Sequence, residues 1–159
     1  MLCRHLGRSG LTVSRLGLGT LTWGLEVDEE GARDQMTAFT GAGGTLIDTA
    51  HGYGGGAAET MLGRLLAGRV VARDEVVIVS KAGSRRGPAG SAVDVSRRAL
   101  LRDLDESLAR LGTDHLDVWL ADAWSDDGPL AETLGALEYA VSSGRARYIG
   151  VSNYSGWQS

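Results

Sequence analysis

Residues 45–56 read TLIDTAHGYGGG, and the fold turns on how this stretch is interpreted. A short apolar run, Leu46 and Ile47, delivers a carboxylate, Asp48, to the end of a strand predicted over Thr45–Asp48. The chain then breaks into glycines that hold one tyrosine, Tyr53. Glycine-rich backbone after a strand lets polar groups project over the end of a sheet. Asp48 and Tyr53 can therefore meet over one pocket.

Working outward, the same grammar repeats. Upstream, the turn Arg8-Ser9-Gly10 predicts a hairpin of Arg4–Leu6 with Thr12–Ser14. A strand over Leu16–Gly19 follows, and then a helix that Asp28 caps, running to about Ala42 with Ala32, Met36 and Phe39 at helical spacing. Downstream, Ala57–Ala67 reads as a helix stopped by Gly68. The run Val76–Ser80 is β-branched and apolar throughout, as a strand buried on both faces reads, and it leads straight to Lys81. Ala82–Val93 reads as a loop. Asp94 is expected to cap the next helix, whose stripe is Leu100, Leu101, Leu104, Leu108 and Leu111. A strand over Leu116–Ala121 ends at Asp122. Pro129 opens a helix with Leu130, Leu134, Leu137 and Val141 as its apolar face, and Arg147–Val151 is a fifth strand ending at Ser152.

Strands alternating with helices imply a parallel sheet with right-handed crossovers. Asp48, Lys81, Asp122 and Ser152 each follow or end a strand, on the edge where α/β folds build their sites. The strand-to-helix turns carry no GxGxxG fingerprint, which argues against a Rossmann domain. Taken singly, Asp48 reads as a turn residue, Tyr53 as packing and Lys81 as a solvated strand end. His51 and His115 read as surface or capping histidines. Only the joint pattern favours a site.

Composition narrows the class. A chain of 159 residues with 43% hydrophobic and 23% charged residues is one domain's worth of ordinary globular sequence. Its net charge of -4 argues against nucleic acid as a partner. No apolar run approaches a membrane span, and the start lacks a signal-peptide core. The single cysteine, Cys3, fits a reducing cytoplasm. Of the 16 basic residues, Lys81 is the only lysine, and an ammonium is the cation whose pKa a pocket can shift.

Together these stretches resemble the aldo-keto reductase family. The residues that carry the likeness are LGRSGLTVSRLGLGT, the IDTAxxYG turn, VVIVSKAG, SLARLGTDHLDVW and RARYIGVSNYS, in that order. The resemblance implies a (β/α)₈ barrel that binds NADPH across its C-terminal face and reduces an aldehyde or ketone. By motif, Asp48, Tyr53 and Lys81 match three members of the family's catalytic tetrad. The resemblance also implies that Ser152 and Asn153 hold the nicotinamide carboxamide. Gly19, Thr20 and Asp48 would lie against the cofactor, and Trp23 and Trp124 would wall an apolar substrate pocket. No metal is expected. The chemistry asks for such a set independently. A carbonyl becoming an alkoxide needs a proton, a phenol of pKa ~10 is a sluggish acid at neutral pH, and an ammonium beside it lowers that value.

Two departures accompany the resemblance. Five residues beyond Asp117, where the family has its tetrad histidine, this chain has Asp122. An ionised carboxylate cannot donate a hydrogen bond to a carbonyl, but a protonated one can, and burial beside Asp48 would favour the proton. A catalytically weak or redox-sensing member of the same fold is therefore the alternative to an efficient reductase. The second departure is length. A (β/α)₈ barrel takes about 250 residues, whereas 1–15 read as a hairpin and 16–159 as five strands of one domain. The expectation is an N-terminal barrel portion, either continued in a longer chain or completed by a second chain as a homo-oligomer.

Overall fold

The computed structural model describes residues 1–87 and 90–158. Strands β1 (Cys3–His5) and β2 (Thr12–Ser14) form the antiparallel hairpin. The chain then runs β3 (Gly17–Gly19), α1 (Glu29–Gly41), β4 (Leu46–Asp48), α2 (Ala57–Ala67) and β5 (Val77–Ala82). A second antiparallel hairpin follows, β6 (Ser84–Gly87) with β7 (Gly90–Val93). The order closes with α3 (Arg97–Leu111), β8 (Leu116–Ala121), α4 (Leu130–Ser142) and β9 (Ala146–Val151).

Among the described residues the central sheet has the order β3-β4-β5-β8-β9, with every neighbouring pair parallel. The expected β-α alternation therefore stands, and sequential order puts all strand C-termini at one end. The core lies between this sheet and its helices. Ile47, Ile78 and Trp119 from the strands meet Leu62, Leu65, Leu100, Leu104 and Leu111 from α2 and α3, all fully buried or nearly so. Burying a leucine of this kind contributes about 1.5–3 kcal/mol, so the α3 stripe alone anchors that helix.

Local signals explain the boundaries. Asp28 caps α1, its carboxylate accepting from Gly31 N at 2.9 Å. Gly112 ends α3 with φ +65, a left-handed conformation that suits glycine. Three expectations are corrected. The α3 cap is Ser96, whose Oγ accepts from Ala99 N at 3.3 Å, while Asp94 accepts from Ser96 N at 3.1 Å and steadies the capping residue. The stretch Ala82–Val93 contains the β6–β7 hairpin, which its polar, non-alternating sequence does not announce. Helix α4 buries Thr133, Ala136, Leu137 and Ala140. Leu130, Leu134 and Val141 remain 37–49% exposed, so the buried face is rotated from the expected stripe and shares only Leu137 with it.

Candidate active site

At the C-terminal end of the sheet, ladder hydrogen bonds continue past each strand and hold the first loop residues in place. Thr49 N donates to Val79 O at 2.9 Å, His51 N to Lys81 O at 2.9 Å, Asp122 N to Ala82 O at 2.8 Å, and Ser152 N to Ala121 O at 2.8 Å. Residues beyond the strands are thus placed by the sheet itself. After β4 the chain enters a tight turn, Tyr53–Gly56, in which Gly54, Gly55 and Gly56 have φ of 58, 63 and 99. Only glycine takes three such values in succession without strain. The glycine run is therefore what allows Tyr53 to swing back over the sheet end.

There the three residues of the joint pattern meet. Lys81 Nζ lies 2.7 Å from Asp48 Oδ1 and donates to Asp48 Oδ2 at 2.8 Å, to Thr49 O at 2.9 Å and to the Tyr53 hydroxyl at 3.1 Å. The ammonium is also 4.8 Å from the centre of the Tyr53 ring. Its three donors are all used. Burial by itself would lower the Lys81 pKa, but the hydrogen bonds to Asp48 and Tyr53, with their charges, raise it above its ordinary value. The lysine stays a cation throughout the physiological range.

These groups floor a cavity of about 550 Å³ lined by Asp48, Tyr53, Lys81, Ser84, Asp122, Ser152 and Asn153, with Leu21, Leu25 and the turn glycines. Asp122 stands on the far wall. Burial raises its pKa; hydrogen bonding from Ser152, the Lys81 charge and Asn153 pull the other way, and the Asp48 charge adds to the rise. The net direction is upward. Asn153, in the left-handed region at φ 60, donates from Nδ2 to Asp122 Oδ1 at 3.1 Å.

Other expected site residues lie elsewhere. Trp23 is fully buried in the core, its Nε1 donating to Gln35 Oε1 at 2.8 Å, so it does not wall the cavity. Trp124 is also off the cavity. It packs edge-on to Tyr154 at 5.5 Å, lies 5.7 Å from Trp157, and donates to Asp126 at 2.7 Å. The apolar wall is made by the exposed Leu21 and Leu25, flanking residues that no aromatic signal marks. Thr20 is fully buried beneath the site, its N and Oγ1 both bonded to Asp48 O at 3.0 and 3.1 Å. Gly19 pairs with Asp48 in the sheet and is not among the lining residues.

His51 is not a surface histidine. It is buried behind the site, Nε2 lying 2.8 Å from Glu106 Oε2 and Nδ1 3.8 Å from Asp103 Oδ2. These three side chains could surround a cation. Arg102 pairs with Asp103 at 3.0 Å and Arg110 with Glu106 at 3.2 Å, so guanidinium groups already supply the positive charge there.

With this geometry in hand, comparison with known proteins is direct. The sequence profile described as Aldo/keto reductase family matches residues 15–159, and the chain belongs to that family. It is 38% identical over 159 residues to L-glyceraldehyde 3-phosphate reductase from two strains of Escherichia coli, covering 98% of this chain and 46% of each relative. Among solved structures it is similar to aldo-keto reductase AKR11C1 from Bacillus halodurans in its holo form, with 35% identity and a TM-score of 0.86. That match covers 96% of this chain and 50% of the other. The thermostable aldo-keto reductase Tm1743, in complex with the inhibitor epalrestat, matches at 36% identity and a TM-score of 0.83, over 99% of this chain and 56% of the other. The chain thus spans about half the length of the curated relatives it matches. Its five parallel strands in sequential order, with four helices between them, fit part of a (β/α)₈ barrel.

Proposed function

We propose that the intact protein is an NADPH-dependent reductase of aldehydes or ketones, with Tyr53 as proton donor. The observation that carries this reading is the contact of one buried ammonium, Lys81, with both the Tyr53 hydroxyl and the Asp48 carboxylate on a cavity floor. A carbonyl oxygen hydrogen-bonded to Tyr53 would receive its proton, and Lys81 would stabilise the phenolate left behind. Asp48 keeps Lys81 from being an isolated buried charge. Bound NADPH would supply the hydride.

The donor set fits a nicotinamide carboxamide, which needs both a donor and an acceptor. Ser152 and Asn153 offer hydroxyl and amide groups on one wall of the cavity. Both are now engaged with Asp122. A carboxamide competing for them would strip Asp122 of hydrogen bonds that favour its ionised form, and so favour the proton. A protonated Asp122 could then donate to the substrate oxygen. One relative is named for L-glyceraldehyde 3-phosphate, which makes a small phosphorylated aldehyde the first candidate substrate.

Steady-state NADPH oxidation by the full-length protein tests this, with L-glyceraldehyde 3-phosphate, unphosphorylated glyceraldehyde and aromatic aldehydes, from pH 5 to 8. Turnover that disappears in Tyr53→Phe supports the reading. The second reading, a weak or redox-sensing member of the fold, is favoured by Asp122 itself. NADPH binding without turnover at any pH would select it.

A further inference from the structure

Behind the catalytic residues, on the helix side of the sheet, lies a set of polar contacts that the proposed chemistry does not use. Ser80 Oγ donates to Glu59 Oε1 at 2.7 Å, and both side chains are fully buried. The other oxygen, Glu59 Oε2, accepts from Arg110 Nη1 at 3.2 Å. The same Nη1 donates to His51 O at 3.1 Å. His51 N in turn donates to Lys81 O at 2.9 Å. Lys81 is covalently joined to Ser80. The contacts therefore form a closed ring: Lys81, His51, Arg110, Glu59, Ser80 and back to Lys81.

The ring spans three elements, contains Lys81, and reaches Tyr53 through the two residues of backbone that follow His51. Arg110 comes from α3, Glu59 from α2 and Ser80 from β5, while His51 is two residues before Tyr53. Gly56 makes the ring possible, because a Cβ there would meet Arg110 Cζ at 2.5 Å. A buried carboxylate is costly unless paired. Here one carboxylate holds two partners, and each leads by backbone to a catalytic side chain.

We infer that Glu59, Arg110 and Ser80 are positioning residues, and that their ring sets the distance between the Lys81 ammonium and the Tyr53 hydroxyl. The inference rests on the reductase reading for its consequence in catalysis, though not for its geometry. Its logic is that of preorganisation: a displacement of about 1 Å at a reacting pair can cost about 10²-fold in rate.

The test follows Lys81 itself in the full-length protein. Protein labelled with ¹³C-lysine reports the titration of Lys81 through its Cε resonance, assigned by its loss in Lys81→Arg. On the cavity side Lys81 faces Asp48, Tyr53 and Asp122; on the helix side the titratable and charged groups are Glu59, Arg110, His51, Glu106, Arg102 and Asp103. Ser80→Ala is the decisive variant because it changes no charge and leaves the Glu59–Arg110 pair in place. The expected result is a lower Lys81 titration midpoint in Ser80→Ala and a larger drop in Glu59→Gln. Alongside it, kcat should fall by about 10-fold or more with KM within about twofold. An unmoved Lys81 titration in Ser80→Ala, with kcat changed only in proportion to the folded fraction, would overturn the inference. An inactive wild type whose Lys81 titration still responds to Ser80→Ala would uphold the ring and sink the reductase reading instead.

Discussion

The two walls of the cavity are built on different terms. On the β4–β5 side, Lys81 is almost fully buried, all three of its donors are used, and the backbone beneath it is tied to α2 and α3. On the β8–β9 side, Asp122, Ser152 and Asn153 are half-buried or exposed and bond chiefly to one another. The first wall is preassembled; the second is satisfied for now and available to exchange partners. A group meant to hold a fixed proton geometry gains from the first arrangement, and a group meant to receive a ligand's amide gains from the second.

The harshest way to break the comparison is Lys81→Met. With the cation gone, carbonyl reduction should fall by about 10²–10⁴-fold, measured as NADPH oxidation on full-length protein. The fold should survive, because Asp48 is 40% exposed and can be solvated. Near-normal turnover would mean that the proton comes from elsewhere.

The next test acts on the opposite wall. Asp122→His should raise the rate at pH 7 by about 10²–10³-fold, if the missing donor is like a lost oxyanion contact, and Asp122→Asn should recover part of that gain. In the wild type, reduction should rise as pH falls from 8 to 5. The sign follows from a raised acid pKa: the protonated donor form gains population on the acid side. A rate that is high and flat with pH, and indifferent to Asp122→His, would show that another group does the work.

Core and wall can be separated next. Trp23→Ala should cost about 3–5 kcal/mol of stability in thermal or denaturant unfolding, because the side chain is fully buried. Leu25→Ala should leave stability nearly unchanged while altering KM for apolar aldehydes, because Leu25 is 69% exposed on the cavity. A reversed pattern would restore Trp23 as a substrate contact.

The smallest effect concerns stability and pH. A carboxyl whose pKa is raised on folding carries no penalty below its ordinary value of ~3.9 and weakens the fold as pH rises through the raised value. Asp122→Asn should therefore raise Tm slightly at pH 7 and leave it unchanged near pH 3. No corresponding loss is expected at Lys81, whose raised pKa keeps its stabilisation in place until pH passes ~10.4.

Much of this molecule is legible from one-dimensional pattern. The strands at Leu46–Asp48 and Leu116–Ala121, the helix Ala57–Ala67 and the Asp28 cap follow from β-branched runs, helical spacing and capping chemistry. These are local properties, and local sequence determines them. The meeting of Asp48, Tyr53 and Lys81 was also inferable, since parallel order puts consecutive strand ends side by side. Tertiary structure decided what depended on competition for space. Trp23 and Trp124 have the same chemistry, yet one is swallowed by the core and the other joins an aromatic cluster. Helix α4 turns Thr133, Ala136, Leu137 and Ala140 inward and leaves Leu130, Leu134 and Val141 exposed, so only Leu137 of its expected stripe is buried. Glu59 and the His51 carbonyl share one buried hydrogen-bond network only because α3 brings Arg110 beneath Gly56. That convergence joins residues up to 59 positions apart, and no window along the chain contains it.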